Sequence, residues 1–305
     1  MLSRAADALY WMGRYVERAE HVARLLGVSR SLMIDFAEVD PAAAGAYWAG
    51  TLTALGVSSP DVTPRGLVRD EKEPGSIARC IGRARENARQ VREVISSEMW
   101  EHLNAAYWSV VDRDPGDDEA ALEDLARETI RASFLFCGVT DATMRRGEGW
   151  DFVKLGQLVE RADRTSHLLT VRVGGRPFNP RGVHDHTENL LWLSLLRSCC
   201  ALEAYRKVHP ARVEPRRVLE FLVLDASFPR SIRHALAGSA AIVARIGTET
   251  GRGAAVGRSF GRLGAVVEFT EVEEVLEEGV GPFLGRVREE MGRATLALQR
   301  TYFLH

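Results

Sequence analysis

One helical segment occurs twice in this chain. Gly13-Arg14-Tyr15-Val16-Glu17-Arg18-Ala19-Glu20 returns as Gly156-Gln157-Leu158-Val159-Glu160-Arg161-Ala162-Asp163, with Gly, Val, Glu, Arg and Ala in the same places, and the correspondence runs on to Leu25-Leu26 against Leu168-Leu169. Such a repeat constrains the fold strongly, because two copies of one helix call for equivalent surroundings. Leu9, Met12, Val16, Ala19, Ala23 and Leu26 advance by steps of three and four, which marks one apolar helix face. Glu17, Glu20 and Arg24 fall beside that face, close to Gly13, while Trp11, Tyr15 and Val22 cover the other flank. A helix apolar over so much of its circumference is expected to be central. Its charges are then partly desolvated and need partners.

A second repeat follows in the same order. Leu67-Val68-Arg69-Asp70 and then Pro74-Gly75-Ser76-Ile77 are echoed by Leu222-Val223-Leu224-Asp225 and then Pro229-Arg230-Ser231-Ile232. The two signals predict an all-α, internally duplicated helical bundle, a single domain over 1–305 with repeats of about 1–149 and 150–305. Its motif helices are expected to be buried against each other about a pseudo-twofold axis. In the first half, helices are expected from Ser3 to about Phe36, over Ala42–Leu55 and Arg65–Arg69, from Ser76 onward, over Trp100–Val111, and from Glu119 to about Arg145. In the second half they are expected near Asp151–Val171, Thr187–Val208, Arg216–Leu222, Arg230–Ile246 and Glu271–Phe303. Gly174 to Gly182 reads as the crossover between repeats, and the glycines from Gly251 to Gly264 read as a flexible connector. No segment shows sustained strand alternation.

Composition excludes several classes of function. A hydrophobic content of 46% supplies a sizeable core, and a net charge of −2 gives no positive field to recommend nucleic acid as a partner. Arg4, Asp7, Arg14, Glu17 and Arg18 interrupt the N-terminal region, which argues against a secretory signal, and no membrane span is expected. Cys80, Cys137, Cys199 and Cys200 lack CxxC spacing, so neither a zinc knuckle nor a disulfide framework is indicated. A cytoplasmic location is expected.

The repeated Glu-Arg pair and its surroundings resemble the signature of the bacterial alpha-E domain family, an all-helical family named for that pair. Further segments agree with it: Arg83-Ala84-Arg85-Glu86-Asn87-Ala88-Arg89, Trp100 to Asn104, Asp141 to Asp151, Phe228-Pro229-Arg230-Ser231-Ile232 and Tyr302-Phe303-Leu304. The resemblance spans nearly the whole chain. It implies a partner, a circularly permuted ATP-grasp ligase-like protein encoded beside or fused to the helical domain, and often a transglutaminase-like protein nearby. Amide or peptide-bond chemistry is the function those associations suggest.

Glu17, Glu20, Glu160 and Asp163 would converge if the motif helices face each other, and helical bundles do build dinuclear metal sites from inward acids. Such sites pair Glu with His at i, i+3, whereas Glu17-x-x-Glu20 and Glu160-x-x-Asp163 lack His and stand beside Arg14, Arg18 and Arg161. No metal and no cofactor is therefore expected. Two readings remain open. In the first, a polar pocket lies between the repeats and binds a carboxylate or phosphate through surplus guanidinium groups, drawn from Arg14, Arg18, Arg83, Arg85, Arg161 and Arg230, with Glu86 and Asn87 adding hydrogen-bond specificity. In the second, the Glu-Arg motifs are structural and the protein is a non-catalytic scaffold for the ligase. Weaker candidates have blander explanations: His184-Asp185-His186 precedes a helix start, Cys199-Cys200 sits in an apolar helix, and Ser231 reads as a first-turn residue.

Overall fold

The computed structural model describes residues 1, 3–37, 41–57, 59–116, 118–174 and 186–303. Every regular element among the described residues is helical. In the first half these are α1 (Ser3–Ala37), α2 (Pro41–Leu55), α3 (Pro64–Arg69), α4 (Ile77–Gln90), α5 (Ser97–Val111) and α6 (Glu119–Thr143). The second half holds α7 (Glu148–Gly174), α8 (His186–Ser198), α9 (Leu202–Val208), α10 (Pro215–Leu224), α11 (Ile232–Thr250), α12 (Ala254–Glu268), α13 (Val272–Glu278) and α14 (Val280–Leu298), and ends in a π-helical turn, Gln299–Phe303. No helix among the described residues is long and apolar enough to cross a membrane.

Helices α1 and α7, the motif helices, lie against each other at the centre. Their buried stripes are the periodic apolar positions, with Leu9, Met12, Val16, Ala19 and Ala23 on one side and Phe152, Leu155, Val159, Ala162 and Leu169 on the other. Two glycines set how close they come. A Cβ on Gly13 would stand 2.2 Å from the Val153 carbonyl oxygen, and one on Gly156 would stand 2.1 Å from that of Tyr10. Each glycine therefore receives the backbone of the residue three places before the other, and any side chain would force the helices apart.

The other helices dress this pair in a matching order. Helix α4 packs on α1 as α11 packs on α7; α5 then covers α4 as α12 covers α11, while α6 lies on α1 and α14 on α7. Local chemistry matches as well. Short α3 and α10 both begin with proline at the first turn, and α4 and α11 are both N-capped by serine, with Ser76 accepting from Arg79 N–H and Ser231 from His234 N–H. Buried apolar side chains from both halves form one contiguous core. The structure thus shows reciprocal contacts across the α1–α7 crossing and a parallel order of packing partners; descent from a duplicated unit rests on the sequence repeats.

Several sequence expectations need correction. The helix expected over Thr187–Val208 is two helices, α8 and α9, separated at Cys199–Ala201, where Cys200 takes a left-handed backbone with φ of 53°. The helix expected over Glu271–Phe303 breaks at Gly279, whose φ is 92°, and its last turn loosens to π geometry. The glycine-rich stretch expected as a connector is largely helix α12, because Val256, Phe260, Leu263 and Val267 supply a buried stripe at helical spacing. Most of the expected crossover, and His184 and Asp185, lie outside the described residues.

Candidate functional site

The motif side chains meet across the α1–α7 crossing and pair reciprocally. Arg161 of α7 donates from Nε and Nη2 to the two oxygens of Glu17 on α1, at 2.8 and 2.9 Å. Arg18 of α1 donates from Nε and Nη2 to the two oxygens of Glu160 on α7, at 2.6 and 3.0 Å. Each Glu-Arg dipeptide thus sends its arginine to the other dipeptide's glutamate. Both are forked contacts of the kind that fix orientation as well as charge.

Further cations complete each carboxylate. Glu160, fully buried, also accepts from Arg14 Nε at 2.7 Å and from Arg164 Nε at 3.0 Å. Arg230, in the turn before α11, reaches Glu17 at 3.4 Å and Glu20 at 3.0 Å, and Arg24 binds Glu20 one turn along α1. Asp163 is held by Arg164 at 3.0 Å and lies 3.3 Å from His167 Nδ1. Burial alone would push these acids towards the neutral form, but the guanidinium groups outweigh it. Against that burial, Arg14, Arg164 and Arg18 hold Glu160 well below the usual carboxylate range, and Arg161 and Arg230 bring Glu17 down to about 2.

Of the residues expected to form a polar pocket, Arg14, Glu17, Arg18, Glu20, Glu160, Arg161, Asp163 and Arg230 converge. Those expected from α4 do not join them. Arg83 is exposed, Glu86 pairs with Arg89 at the surface, and Arg85 donates to Asn104 while its guanidinium lies 4.7 Å from the Tyr107 ring centre. Asn87 is half-buried on the same helix. The cause is helix phase: Ala84 and Ala88 turn inward towards α1, which carries the polar positions between them away from the motif.

The room expected between the motif helices is also small. A cavity of about 10 Å³ is bordered by Glu17, His21, Arg161, Arg164, Thr165 and Arg230, among others, which is space for one water rather than a substrate. Two of its neighbours, Arg164 and His21, were not singled out from the sequence. Arg164 could have been found, since it stands four residues after Glu160, where a helix places a partner. His21 occupies the same position in the first copy. It is buried, its Nε2 has no hydrogen-bond partner, and burial together with Arg164 and Arg230 pushes its basicity down to about 3, so the ring is neutral.

Each motif carboxylate is clamped by at least one guanidinium, and no cluster of three or more metal-ligating side chains occurs among the described residues. The thiols nearby are protonated, with burial pushing Cys80 and Cys199 up to about 12. Chemically, the arrangement ties α1 to α7 through two forked, charge-assisted contacts.

Comparison with known proteins gives one family model, Alpha-E, described as a predicted alpha-helical domain with a conserved ER motif, which matches residues 1–303. Similar curated proteins include an uncharacterized protein of Mycobacterium bovis and another of Mycobacterium tuberculosis, each 28% identical over 263 residues. The match covers 76% of this chain but 28% of each relative, so the chain spans little more than a quarter of those proteins' length. No solved structure matches.

Proposed function

The chain belongs to the Alpha-E family, and from that premise we propose that it is a non-catalytic helical component of a cytoplasmic, ATP-grasp-associated system that forms amide or peptide bonds. Its Glu-Arg motifs are structural: they lock α1 to α7 and so fix the surface that the ligase-like partner docks on. The reciprocal pairing of Glu17 with Arg161 and of Glu160 with Arg18 carries this reading, because it leaves no motif carboxylate free for acid, base or nucleophile work. Relatives much longer than this chain support the role of a component, since in them a segment of this kind lies within a larger protein.

The test is co-expression with a circularly permuted ATP-grasp protein from the same organism. A complex that hydrolyses ATP in an amine- and carboxylate-dependent way, with activity retained per folded molecule in Glu17→Gln, is the expected result. Loss of turnover in a Glu17→Gln protein that remains folded and bound to its partner would return the motif to the reacting site.

A further inference from the structure

The correspondence between α1 and α7 breaks at one buried position, where one copy has His21 and the other has Arg164. Arg164 is fully engaged, by Glu160, Asp163 and the Leu55 carbonyl. His21 is 4% exposed, and its Nε2 makes no hydrogen bond. A buried polar atom in that state is normally completed by water or by a ligand. The ring borders the small cavity described above, together with Arg161, Arg164 and Arg230.

Charge at this place is unbalanced in one direction. Arg14, Arg18, Arg24, Arg161, Arg164 and Arg230 face Glu17, Glu20, Glu160 and Asp163, leaving two positive charges in excess in a largely buried network. An anion completes such a site. Beside it lies a cleft of about 400 Å³ between α2, α7 and α8, walled largely by apolar side chains such as Leu25, Ala54, Val171, Leu191 and Leu195, with Tyr47, Thr51 and Arg172 in its polar part. Leu168 and Ser198 border both the cleft and the cavity. A predominantly apolar cleft therefore adjoins a cationic floor with an unfilled hydrogen-bond position, and the cleft is of the size that takes a small molecule.

We propose that this cleft binds a carboxylate with an apolar tail, the tail lying between α2 and α8 and one carboxylate oxygen entering the cavity to meet His21 Nε2–H and the Arg230 guanidinium. The cavity's size selects the head group. Space for one water accepts a single carboxylate oxygen, whereas a phosphate would bring three oxygens to the same floor. Binding here uses His21, which the motif pairing leaves over, together with Arg230, which also pairs with Glu17 and Glu20, and it does not depend on an ATP-grasp partner.

Isothermal titration calorimetry on the full chain tests this with three probes: octanoate, its uncharged counterpart octanamide, and acetate, which has the head without the tail. Octanoate is expected to bind, with the other two weaker by at least about tenfold, the usual worth of a charged hydrogen bond or of a buried alkyl chain. His21→Leu keeps the volume and removes the nitrogen, and it should weaken octanoate by about tenfold while leaving octanamide unchanged. Ala46→Trp, on the exposed side of α2 at the cleft, should abolish binding without touching the core. Equal affinity for octanoate and octanamide, or binding unaffected by Ala46→Trp, overturns the proposal. So does failure of octanoate to bind the folded protein, which would mean that the cavity holds water only. If His21→Leu does not fold, the probe comparison and Ala46→Trp decide.

Discussion

Gly13 and Gly156 stand in exchange: each lies against the backbone carbonyl three residues before the other, so close that a Cβ on either would approach an oxygen to 2.2 or 2.1 Å. Helix propensity favours alanine over glycine by about 1 kcal/mol. Here that gain loses, because the obstacle is backbone and no rotamer change can relieve it. Gly13→Ala and Gly156→Ala are each expected to cost about 3 kcal/mol in urea unfolding. Gly27→Ala on the same helix, where an added Cβ meets nothing within 4 Å, is expected to be neutral or to gain up to about 1 kcal/mol. Equal stability of Gly13→Ala and Gly27→Ala would mean that the close crossing is wrong.

Reciprocal pairing makes a specific pattern of couplings. Deleting one partner of a buried pair costs about 3–5 kcal/mol, mainly through the charge left behind. Glu160→Gln is expected to be the more damaging of the two glutamate changes, since it strands Arg14, Arg18 and Arg164, whereas Glu17→Gln strands Arg161 and part of Arg230. Double-mutant cycles should couple Glu17 with Arg161 and Glu160 with Arg18. Coupling of Glu17 with its sequence neighbour Arg18 as strong as that with Arg161 would refute the crossed arrangement.

Acid sensitivity should come in two stages. His21 has an ordinary value near 6.5 when unfolded and about 3 in the fold, where burial, Arg164 and Arg230 outweigh Glu160 and Glu17. Below the unfolded value the unfolded chain binds the proton and the fold does not, so stability falls as pH falls towards the folded value, with a slope of about 1.4 kcal/mol per pH unit. Glu17, lowered from 4.5 to about 2, adds a second loss only below 4.5, because its contribution is complete above that pH. Thermal melting of the wild type against His21→Leu checks the first stage: the variant should be much flatter between pH 6.5 and 4.5. Parallel curves would show that the buried ring does not control that range.

The motif helices were legible because two signals of different kind coincide, a repeat of residue identity and a stripe at helical period. Boundaries fixed by side-chain capping were legible too, as at Ser76, where the serine does the work locally. The break at Cys199–Ala201 was not, since no proline or glycine marks it and the left-handed turn at Cys200 is closed by backbone bonds, from Cys200 N–H to the Arg197 carbonyl and from Ala201 N–H to the Leu196 carbonyl, which carry no side-chain signature. Helix α12 was missed for the opposite reason: its glycines weaken the local preference, while its stripe of Val256, Phe260 and Leu263 finds a core to fill. At the site, acids and arginines could be named from the motif. Which of them meet depends on helix phase, and that excluded Arg83, Arg85 and Glu86 while bringing in Arg164 and His21.

The carboxylate set invites a metal test. Glu17, Glu20, Glu160 and Asp163 are each bound by guanidinium groups, which would have to be displaced before a cation could enter. Elemental analysis of protein purified without chelators is expected to show substoichiometric iron, manganese and zinc. Near-equimolar metal that disappears in a folded Glu17→Gln, Glu160→Gln protein would reverse this assignment.

The crossed pairs have a consequence for how the molecule comes apart. Each half carries the counter-charge of the other, so lifting α7 away from α1 leaves Glu17 without Arg161 and Glu160 without Arg18 at the same moment. Neither part can melt first and leave an intact remainder. Loss of structure is expected to be a single cooperative event, with helical signal and tryptophan fluorescence changing together, and a fragment ending near Gly147, which lacks α7 and with it Glu160 and Arg161, should not outlive the whole.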